Sequence, residues 1–150
     1  MNAHVEAFGP GVTVEWLRTT YRILLTPAET EGRLGMFEAV VPPGAGPARH
    51  IHHREDETIY LIEGEALFWC EGRTFQRRSG DVTFVPRGKE HGFRVTGASP
   101  ARFVTSVTPG GLESFFATAA RLGLKAPDDQ AEIAAVALQF HCEFTGAPPP

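Results

Sequence analysis

The feature that most constrains the fold of this chain is a regular spacing of turns in its middle. Glycine-centred turn triplets at 63–65, 71–73 and 79–81 recur about every eight residues. Short runs rich in β-branched and aromatic residues lie between and around them, at 12–17, 21–26, 34–41, 58–62, 66–70, 74–76, 82–86, 92–95 and 101–107. Short strands with turns at this spacing are typical of an antiparallel sandwich or barrel. The sequence therefore predicts an all-β fold.

The pattern changes to a helical period after the turn at 108–111. A helix that ends at Gly123 would carry on one face Leu112, Phe115, Phe116, Ala119 and Leu122. A second helix is predicted from Asp129 to Phe140, with Asp129 and Glu132 as a capping box. We expect these two C-terminal helices to cover an end or side of the barrel, or a partner subunit. The alternative is that Phe115 and Phe116 roof a ligand pocket.

The length of 150 residues predicts a single domain over 1–150. A chain of this length buries roughly 70% of its unfolded surface and needs no disulfide to hold together. We divide it into N-terminal strands (1–43), a barrel core (44–107) and a helical C-terminal extension (108–150).

Three histidines and one glutamate in the barrel core form a candidate metal site. His50 and His52 are two residues apart, so on a strand both side chains point to the same face. Glu57 lies an odd number of residues further on, and the polar run 53–56 would make the turn that returns it to the same place. His91 follows a loop punctuated by glycine and proline. Three imidazoles and one carboxylate suit a divalent transition metal and leave coordination positions open.

The spacing of these residues resembles the two motifs of the cupin superfamily. The first motif is matched by Gly44, His50, His52, Glu57 and Gly64, and the second by Gly80, Pro86, Gly88 and His91. Val95 stands where the second motif often has asparagine. The resemblance implies a small single-domain cupin with a double-stranded β-helix, most similar to the quercetin dioxygenase-like cupins. It selects Glu57 as the carboxylate ligand over Glu55 and Asp56. His53 points away from the face of His52 on an extended strand, so we expect a turn residue or a partner of a ligand there. His141 follows the second helix, and we expect it at the surface, with contact to the pocket as the alternative.

Alternation along the strands predicts the wall of a substrate pocket. Ile59 and Leu61 share the face of Glu57, and Phe93 and Val95 share the face of His91. Further candidates for the wall are Met36, Phe37, Trp69 and Phe115. These side chains are apolar, so the expected ligand is a small aromatic, enolic or phenolic compound.

We interpret the site as that of a dioxygenase. An octahedral ion held by four side chains has two free positions, one for a substrate oxygen and one for water or O2. Glu57 is the weakest ligand and could also act as general base. The alternatives are a zinc-dependent polyketide cyclase or isomerase and a non-catalytic metal- or small-molecule-binding cupin. The sequence does not choose among Fe, Mn, Ni, Zn and Cu.

Charge and composition narrow the possible partners. The net charge is −4 and no basic run exceeds two arginines, which argues against nucleic acid. There is no secretory signal pattern and no apolar run of about 20 residues, so we expect a cytoplasmic protein without a membrane partner. Cys70 and Cys142 follow no metal or redox spacing, although a single disulfide between them stays open. The apolar run 12–26 predicts a homodimer through a sheet edge, as the resemblance also implies.

Overall fold

A computed structural model describes residues 8–148, so residues 1–7 and 149–150 of the expected domain lie outside the described part. Eleven strands and three helices follow one another in these residues. The strands are β1 Thr13–Trp16, β2 Thr19–Leu25, β3 Gly35–Val41, β4 Arg49–His52, β5 Asp56–Glu63, β6 Glu65–Cys70, β7 Arg73–Arg78, β8 Val82–Val85, β9 His91–Val95, β10 Ala101–Thr108 and β11 Cys142–Gly146. The helices are α1 Pro27–Thr30, α2 Glu113–Arg121 and α3 Gln130–Gln139.

The strands form two antiparallel sheets. One has six strands in the order β1-β2-β3-β10-β5-β8, and the other has five in the order β11-β4-β9-β6-β7. The sheets exchange strands along the sequence, because β4 and β9 lie in one and β5 and β8 in the other. The prediction of an all-β sandwich or barrel with two C-terminal helices is confirmed.

The C-terminal extension differs from the prediction in one respect that matters for the site. The chain does not end in helix: β11 returns and pairs with β4, setting Cys142 opposite His52 and Phe144 opposite His50. This five-residue strand is too short for its periodicity to be read from sequence. Its formation depends on pairing with a strand about ninety residues away.

The predicted capping box of α3 is wrong. Asp129 precedes the helix, but its side chain accepts a hydrogen bond from the backbone nitrogen of Lys125 at 2.8 Å, so it closes the preceding turn instead. A capping box does occur at the short helix α1, where Thr26 and Glu29 form it. A local side-chain bond in the loop therefore competes with the helix for Asp129.

Two apolar clusters fill the molecule. The first lies between the sheets and consists of Phe37, Ala39, Val41, Ile59, Leu61, Ala66, Phe68, Val95, Ala101 and Phe103. The second joins α2 and α3 to the sheets and consists of Trp16, Val107, Leu112, Phe115, Ala119, Ile133, Ala137, Phe140 and Cys142. Trp16 anchors the helical side: its ring meets Phe115 edge-on at 5.4 Å, and its Nε1 donates to the Leu124 carbonyl at 2.8 Å. The helices thus cover one side of the barrel.

Both cysteines, Cys70 and Cys142, are free thiols. No helix within residues 8–148 has the length and apolar character needed to cross a membrane.

Candidate metal centre

The structure brings together the four side chains that the sequence singles out. His50, His52, Glu57 and His91 each offer one nitrogen or oxygen atom, and these atoms all lie within 4.8 Å of one another. All four side chains are buried, with between 1% and 7% of their surface exposed. A cluster this compact, at the boundary between core and cavity, is what a bound ion requires.

Both sheets contribute to the cluster. His50 and His52 lie on β4, and His50 pairs directly with His91 at the start of β9. Glu57 belongs to β5 of the other sheet. The turn between β4 and β5 therefore carries the chain from one sheet to the other, which is how Glu57 reaches the histidines despite its odd spacing from His52.

Hydrogen bonds hold this turn and the loop before His91 in place. Asp56 accepts from the Arg87 backbone nitrogen at 2.9 Å and pairs with its guanidinium at 3.2 Å. Gly88 donates from its backbone nitrogen to the His52 carbonyl at 2.8 Å. Gly88 has a φ of 83°, a conformation that glycine adopts without strain. These contacts fix the two motifs relative to each other.

Neighbouring charges in the cluster shift the pKa values of Glu57 and His91 in the direction opposite to burial. Burial would raise the pKa of Glu57, but the His52 and His91 rings hold this pKa well below its usual range. Burial, together with neighbouring His91 and His52, holds the pKa of His50 well below its ordinary value. Burial also opposes protonation of His91, yet the Glu57 carboxylate raises the pKa of that ring. At neutral pH the site therefore offers an ionised carboxylate and a neutral His50 imidazole.

The donor atoms are arranged to bind a divalent transition metal and are poorly arranged to hydrogen-bond with one another. His52 Nε2 lies 2.6 Å from Glu57 Oε2, and His91 Nε2 lies 3.8 Å from Glu57 Oε1. Neither histidine nitrogen has a well-aligned hydrogen-bond partner among the described residues. Buried polar atoms are nearly always hydrogen-bonded, so donor atoms that converge on one point without well-aligned hydrogen bonds have the arrangement of a metal-binding set. Imidazole and carboxylate together suit zinc, copper, iron or nickel.

A cavity of about 290 Å³ opens onto the His/Glu cluster and is lined by members of both apolar clusters of the core. Its wall includes all four candidate ligands. The remaining wall is mostly aromatic and aliphatic, and its large side chains are Trp16, Leu17, Tyr21, Phe37, Phe93, Phe103, Leu112, Phe115, Phe116, Ile133 and Phe144. Of the predicted pocket residues, Phe37, Phe93 and Phe115 lie on this wall.

The other predicted pocket residues lie elsewhere. Ile59, Leu61 and Val95 are buried in the first apolar cluster and do not reach the cavity wall. Alternation gives the correct face of the strand for Ile59 and Leu61. It does not show how far along the barrel each residue lies, and both lie in the apolar core away from the cavity. Met36 is only half-buried because it alternates with Phe37 on the opposite face of β3. Trp69 is half-buried with the Arg49 guanidinium 5.2 Å from its ring centre.

Residues that the sequence did not suggest complete the wall. Tyr21 on β2 stacks on Phe116 of α2 with ring centres 3.9 Å apart and planes at 7°. Burial raises the pKa of Tyr21, so its hydroxyl stays protonated. Cys142 and Phe144 reach the wall because β11 pairs with β4. Alternation within β2 could have flagged Tyr21, whereas nothing local in the sequence indicates the pairing of β11.

His53 and His141 lie outside the cluster. His53 is exposed, and its Nε2 lies 3.1 Å from Glu143 Oε2. His141 is exposed as well, and its Nε2 lies 3.3 Å from an Arg54 nitrogen. Both therefore lie on the outer side of the turn that follows β4.

Comparisons with known proteins agree with this arrangement. Residues 37–107 match the family described as the cupin domain. The tetracenomycin polyketide synthase protein TcmJ of Streptomyces glaucescens is 35% identical over 91 residues, which is 59% of this chain and 60% of that protein. Quercetin 2,3-dioxygenase of Bacillus subtilis (strain 168) is 30% identical over 98 residues, which is 65% of this chain and 29% of that protein.

A solved structure shows the same likeness. The polyketide cyclase RemF from Streptomyces resistomycificus superimposes with a TM-score of 0.54 at 30% identity, covering 66% of this chain and 68% of RemF. The chain spans 60% or less of the two curated relatives named above. Residues 37–107, which match the cupin domain, contain all four members of the His/Glu cluster. Residues 37–107 therefore form a cupin domain, and the described chain has the double-stranded β-helix fold.

Proposed function

We propose that this protein is a metal-dependent cupin dioxygenase that acts on a small planar enolic or phenolic compound. The observation that carries the proposal is the joining of two features: a buried three-histidine, one-glutamate cluster and an aromatic cavity that opens onto it. In this proposal His50, His52, Glu57 and His91 hold one divalent transition metal. The likeness to a quercetin dioxygenase over 98 residues supports the reaction class.

The ion would supply Lewis acidity toward a substrate oxygen and, if redox-active, a path for electrons between substrate and dioxygen. The protein residues bind, orient and desolvate the substrate. Glu57 is ionised, and the ionised carboxylate is the form that can accept a proton from a substrate hydroxyl. A dioxygenase places both atoms of O2 in the product, so dioxygen is the oxidant and no reductant is required.

The cavity wall selects against charged and hydrophilic substrates. Apart from the candidate ligands, no charged side chain contributes to this wall in the described part of the chain. Away from the metal, a phosphate or carboxylate group would find no counterion on this wall, and the many hydroxyls of a sugar would lose water and gain few partners. The stacked rings of Tyr21 and Phe116 instead offer flat apolar surface. A flavonol, catechol or polyketide with adjacent oxygens fits these properties.

A second candidate function is a zinc-dependent cyclase or isomerase of polyketides. The likeness to RemF and TcmJ favours it, since the names of both proteins refer to polyketide chemistry. The four ligands serve either function, so the metal distinguishes them: iron, manganese, nickel or copper supports oxygen chemistry and zinc does not. A cupin that binds metal or small molecules without turnover is the third possibility, because fold does not fix function.

The test begins with the metal content of protein purified from its own cells. Separate reconstitution with Fe, Mn, Ni, Cu and Zn follows, and each form is titrated anaerobically with a panel of flavonols, catechols and polyketide phenols. We expect binding of aromatic members and consumption of O2 once air is admitted. Binding of sugars or amino acids with no binding of aromatics would contradict the substrate class. Turnover by the zinc form without O2 uptake would support the cyclase or isomerase.

We also propose that the protein forms a homodimer through its N-terminal strands. β1 is the terminal strand of the six-stranded sheet and leaves one backbone edge unpaired in the described chain. Leu17, at the end of β1, is 43% exposed. Light scattering at micromolar concentration should give twice the chain mass of 16.3 kDa. A monomer mass would reject this proposal and leave the metal site unaffected.

A further inference from the structure

The three candidate histidine ligands differ in how their outer ring nitrogen is held. His50 Nδ1 lies 2.6 Å from the Ala48 carbonyl oxygen, and His91 Nδ1 lies 3.0 Å from the Lys89 carbonyl oxygen. His52 Nδ1 is buried and has no hydrogen-bond partner among residues 8–148. A histidine that binds a metal through one nitrogen almost always donates from the other, which fixes the tautomer and the ring orientation. His52 therefore lacks a contact that the other two rings possess.

A carboxyl oxygen that also lacks a partner lies three residues further along the chain. Glu55 is only 2% exposed, and its Oε2 has no hydrogen-bond partner in the described structure. It precedes Glu57 by two residues, and both side chains are buried at the start of β5. Glu55 and His52 thus present an unused acceptor and an unused donor on either side of one tight turn.

The other polar side chains of this turn are engaged elsewhere. His53 contacts Glu143, Arg54 contacts His141, and Asp56 pairs with Arg87. These contacts lie on the exposed side of the turn. Glu55 is the carboxyl of the turn that faces inward, which is an unusual position for an acidic side chain with one oxygen unpaired.

Only residues 53–55 separate the end of β4 at His52 from the start of β5, so the Glu55 carboxyl lies close to His52 along the chain. Burial raises the pKa of Glu55 to about 7, and among neighbouring charges that of His52 opposes this rise most strongly. Burial raises the pKa of the Cys142 thiol, and the charges of Glu57 and Glu55 raise it further. Cys142 is the direct partner of His52 across the β4–β11 pair. The charge of Glu55 therefore interacts with both members of this pair.

We infer that Glu55 is a positioning residue whose carboxyl accepts a hydrogen bond from His52 Nδ1–H when His52 Nε2 binds the metal. The bond gives His52 the support that backbone carbonyls give His50 and His91. It holds the Nε2 lone pair toward the ion and satisfies two buried polar atoms together. This inference rests on the proposed metal function, because the bond matters only when Nε2 is a ligand.

The test compares Zn²⁺ affinity, measured by competition with a chelating dye, in wild-type protein and four variants. Glu55→Leu removes the acceptor and preserves the approximate size of the side chain, whereas Glu55→Gln keeps a carbonyl oxygen. Glu143→Leu and Glu143→Gln are matched controls, because Glu143 contacts the exposed His53. We expect Glu55→Leu to weaken Zn²⁺ binding about 10- to 100-fold. Glu55→Gln should restore most of the affinity, and the Glu143 variants should match wild type.

A spectroscopic measurement separates positioning from a general effect on folding. In the zinc form of the wild type, nitrogen–proton NMR should show a slowly exchanging Nδ1–H on His52, as on His50 and His91. Glu55→Leu should lose the His52 signal alone. If wild-type His52 Nδ1–H exchanges as fast as the ring protons of exposed His53, the inference is overturned, and this holds even if Glu55→Leu fails to fold. Wild-type affinity in Glu55→Leu would also overturn it. Failure of the wild type to bind any of the five metals would instead reject the proposed function.

Discussion

Glu57 and Glu113 are both buried carboxyl groups, and the contrast between their surroundings separates a functional site from a structural one. Glu57 is 6% exposed and lies among three imidazoles at the cavity. Glu113 is fully buried at the start of α2, where its Oε2 accepts from the Gly111 backbone nitrogen at 2.8 Å. Its Oε1 has no partner in the described chain. The carboxylate of Glu29 is a nearby like charge that also raises its pKa.

The pKa values of the two groups move in opposite directions. Burial raises the pKa of Glu113, with Glu29 adding to the rise against its backbone hydrogen bonds. Burial acts in the same direction on Glu57, but the imidazoles reverse the outcome and lower its pKa. Burial alone therefore does not identify a site. The neighbours decide whether a buried carboxyl is an anionic ligand or a neutral packing group.

Glu113 has a structural explanation. A Cβ atom at Gly35 would collide with its carboxylate, so the first residue of β3 must be glycine for Glu113 to fit. The carboxylate also ties the loop before α2 through Gly111. Glu57 is thus a candidate metal ligand, whereas Glu113 has a structural role.

The largest effect is expected from removing one imidazole of the cluster. His91→Ala should weaken metal binding at least about 100-fold, because it removes one of only three nitrogen ligands. His52→Ala should behave in the same way. The measurement is metal content after dialysis, followed by chelator competition. His53→Ala is the control, since this exposed histidine lies outside the cluster, and it should retain wild-type affinity. Full metal content in His91→Ala would refute the ligand set.

Replacing Glu57 should affect catalysis more than metal binding. Glu57→Gln keeps the shape of the side chain and three imidazole ligands, so we expect a loss of affinity of roughly 10-fold, smaller than for His91→Ala. Turnover should fall further, by about 100-fold or more, if the carboxylate also accepts a substrate proton. Steady-state rates at saturating metal, compared with affinity, separate the two effects. Equal losses in both measurements would mean that Glu57 acts only as a ligand.

Metal affinity should also depend on pH in a defined direction. The Glu57 carboxylate raises the pKa of His91 above its ordinary 6.5 in the metal-free protein. A protonated imidazole cannot bind metal, so affinity should fall about tenfold per pH unit as the pH drops below the pKa of His91. Isothermal titration at several pH values gives the slope and the number of protons released. In Glu57→Gln the decline should begin at a lower pH, and an unchanged profile would contradict the coupling.

The sequence contains more information about the cluster than about the cavity. His50 and His52 are neighbours on one strand, and the glycine and proline positions mark the loop before His91. Local spacing together with the resemblance to the cupin motifs, which selects Glu57, is therefore sufficient to predict the convergence of the ligands. Predicting the cavity wall requires the depth of each residue along the barrel, which alternation does not give. Ile59 and Leu61 share the face of Glu57 and still lie in the core.

Long-range pairing accounts for what sequence patterns did not predict. Cys142 and Phe144 line the cavity because β11 joins the edge of the five-stranded sheet beside β4. That contact depends on two segments far apart in the chain. Tyr21 illustrates the same point, because its place on the cavity wall depends on the packing of β2 against Phe116 of α2. Phe116 itself is suggested by the sequence as part of a pocket roof.

The smallest expected effect concerns the stability of the protein and tests the role of Glu113. Because the pKa of Glu113 is raised in the folded protein, the native state binds the proton more tightly than the unfolded state does. The stabilisation that comes from this tighter proton binding is complete at pH values below the ordinary pKa of a glutamate. It is lost as the pH rises through the raised pKa of Glu113 in the folded protein. Glu113→Gln cannot ionise, so its unfolding free energy should not show this decline.

The variant should therefore gain on wild type as the pH rises, by about 1 kcal/mol at pH 8, the scale of one unpaired buried polar group. Urea unfolding of metal-free protein between pH 4.5 and 8 measures the difference. Glu31→Gln is a suitable control, because this side chain is 80% exposed and pairs only with exposed Arg33. Parallel pH profiles for wild type and Glu113→Gln would show that Glu113 is already compensated as an anion. The contrast with Glu57 would then lie in metal binding alone and not in the sign of the pKa shift.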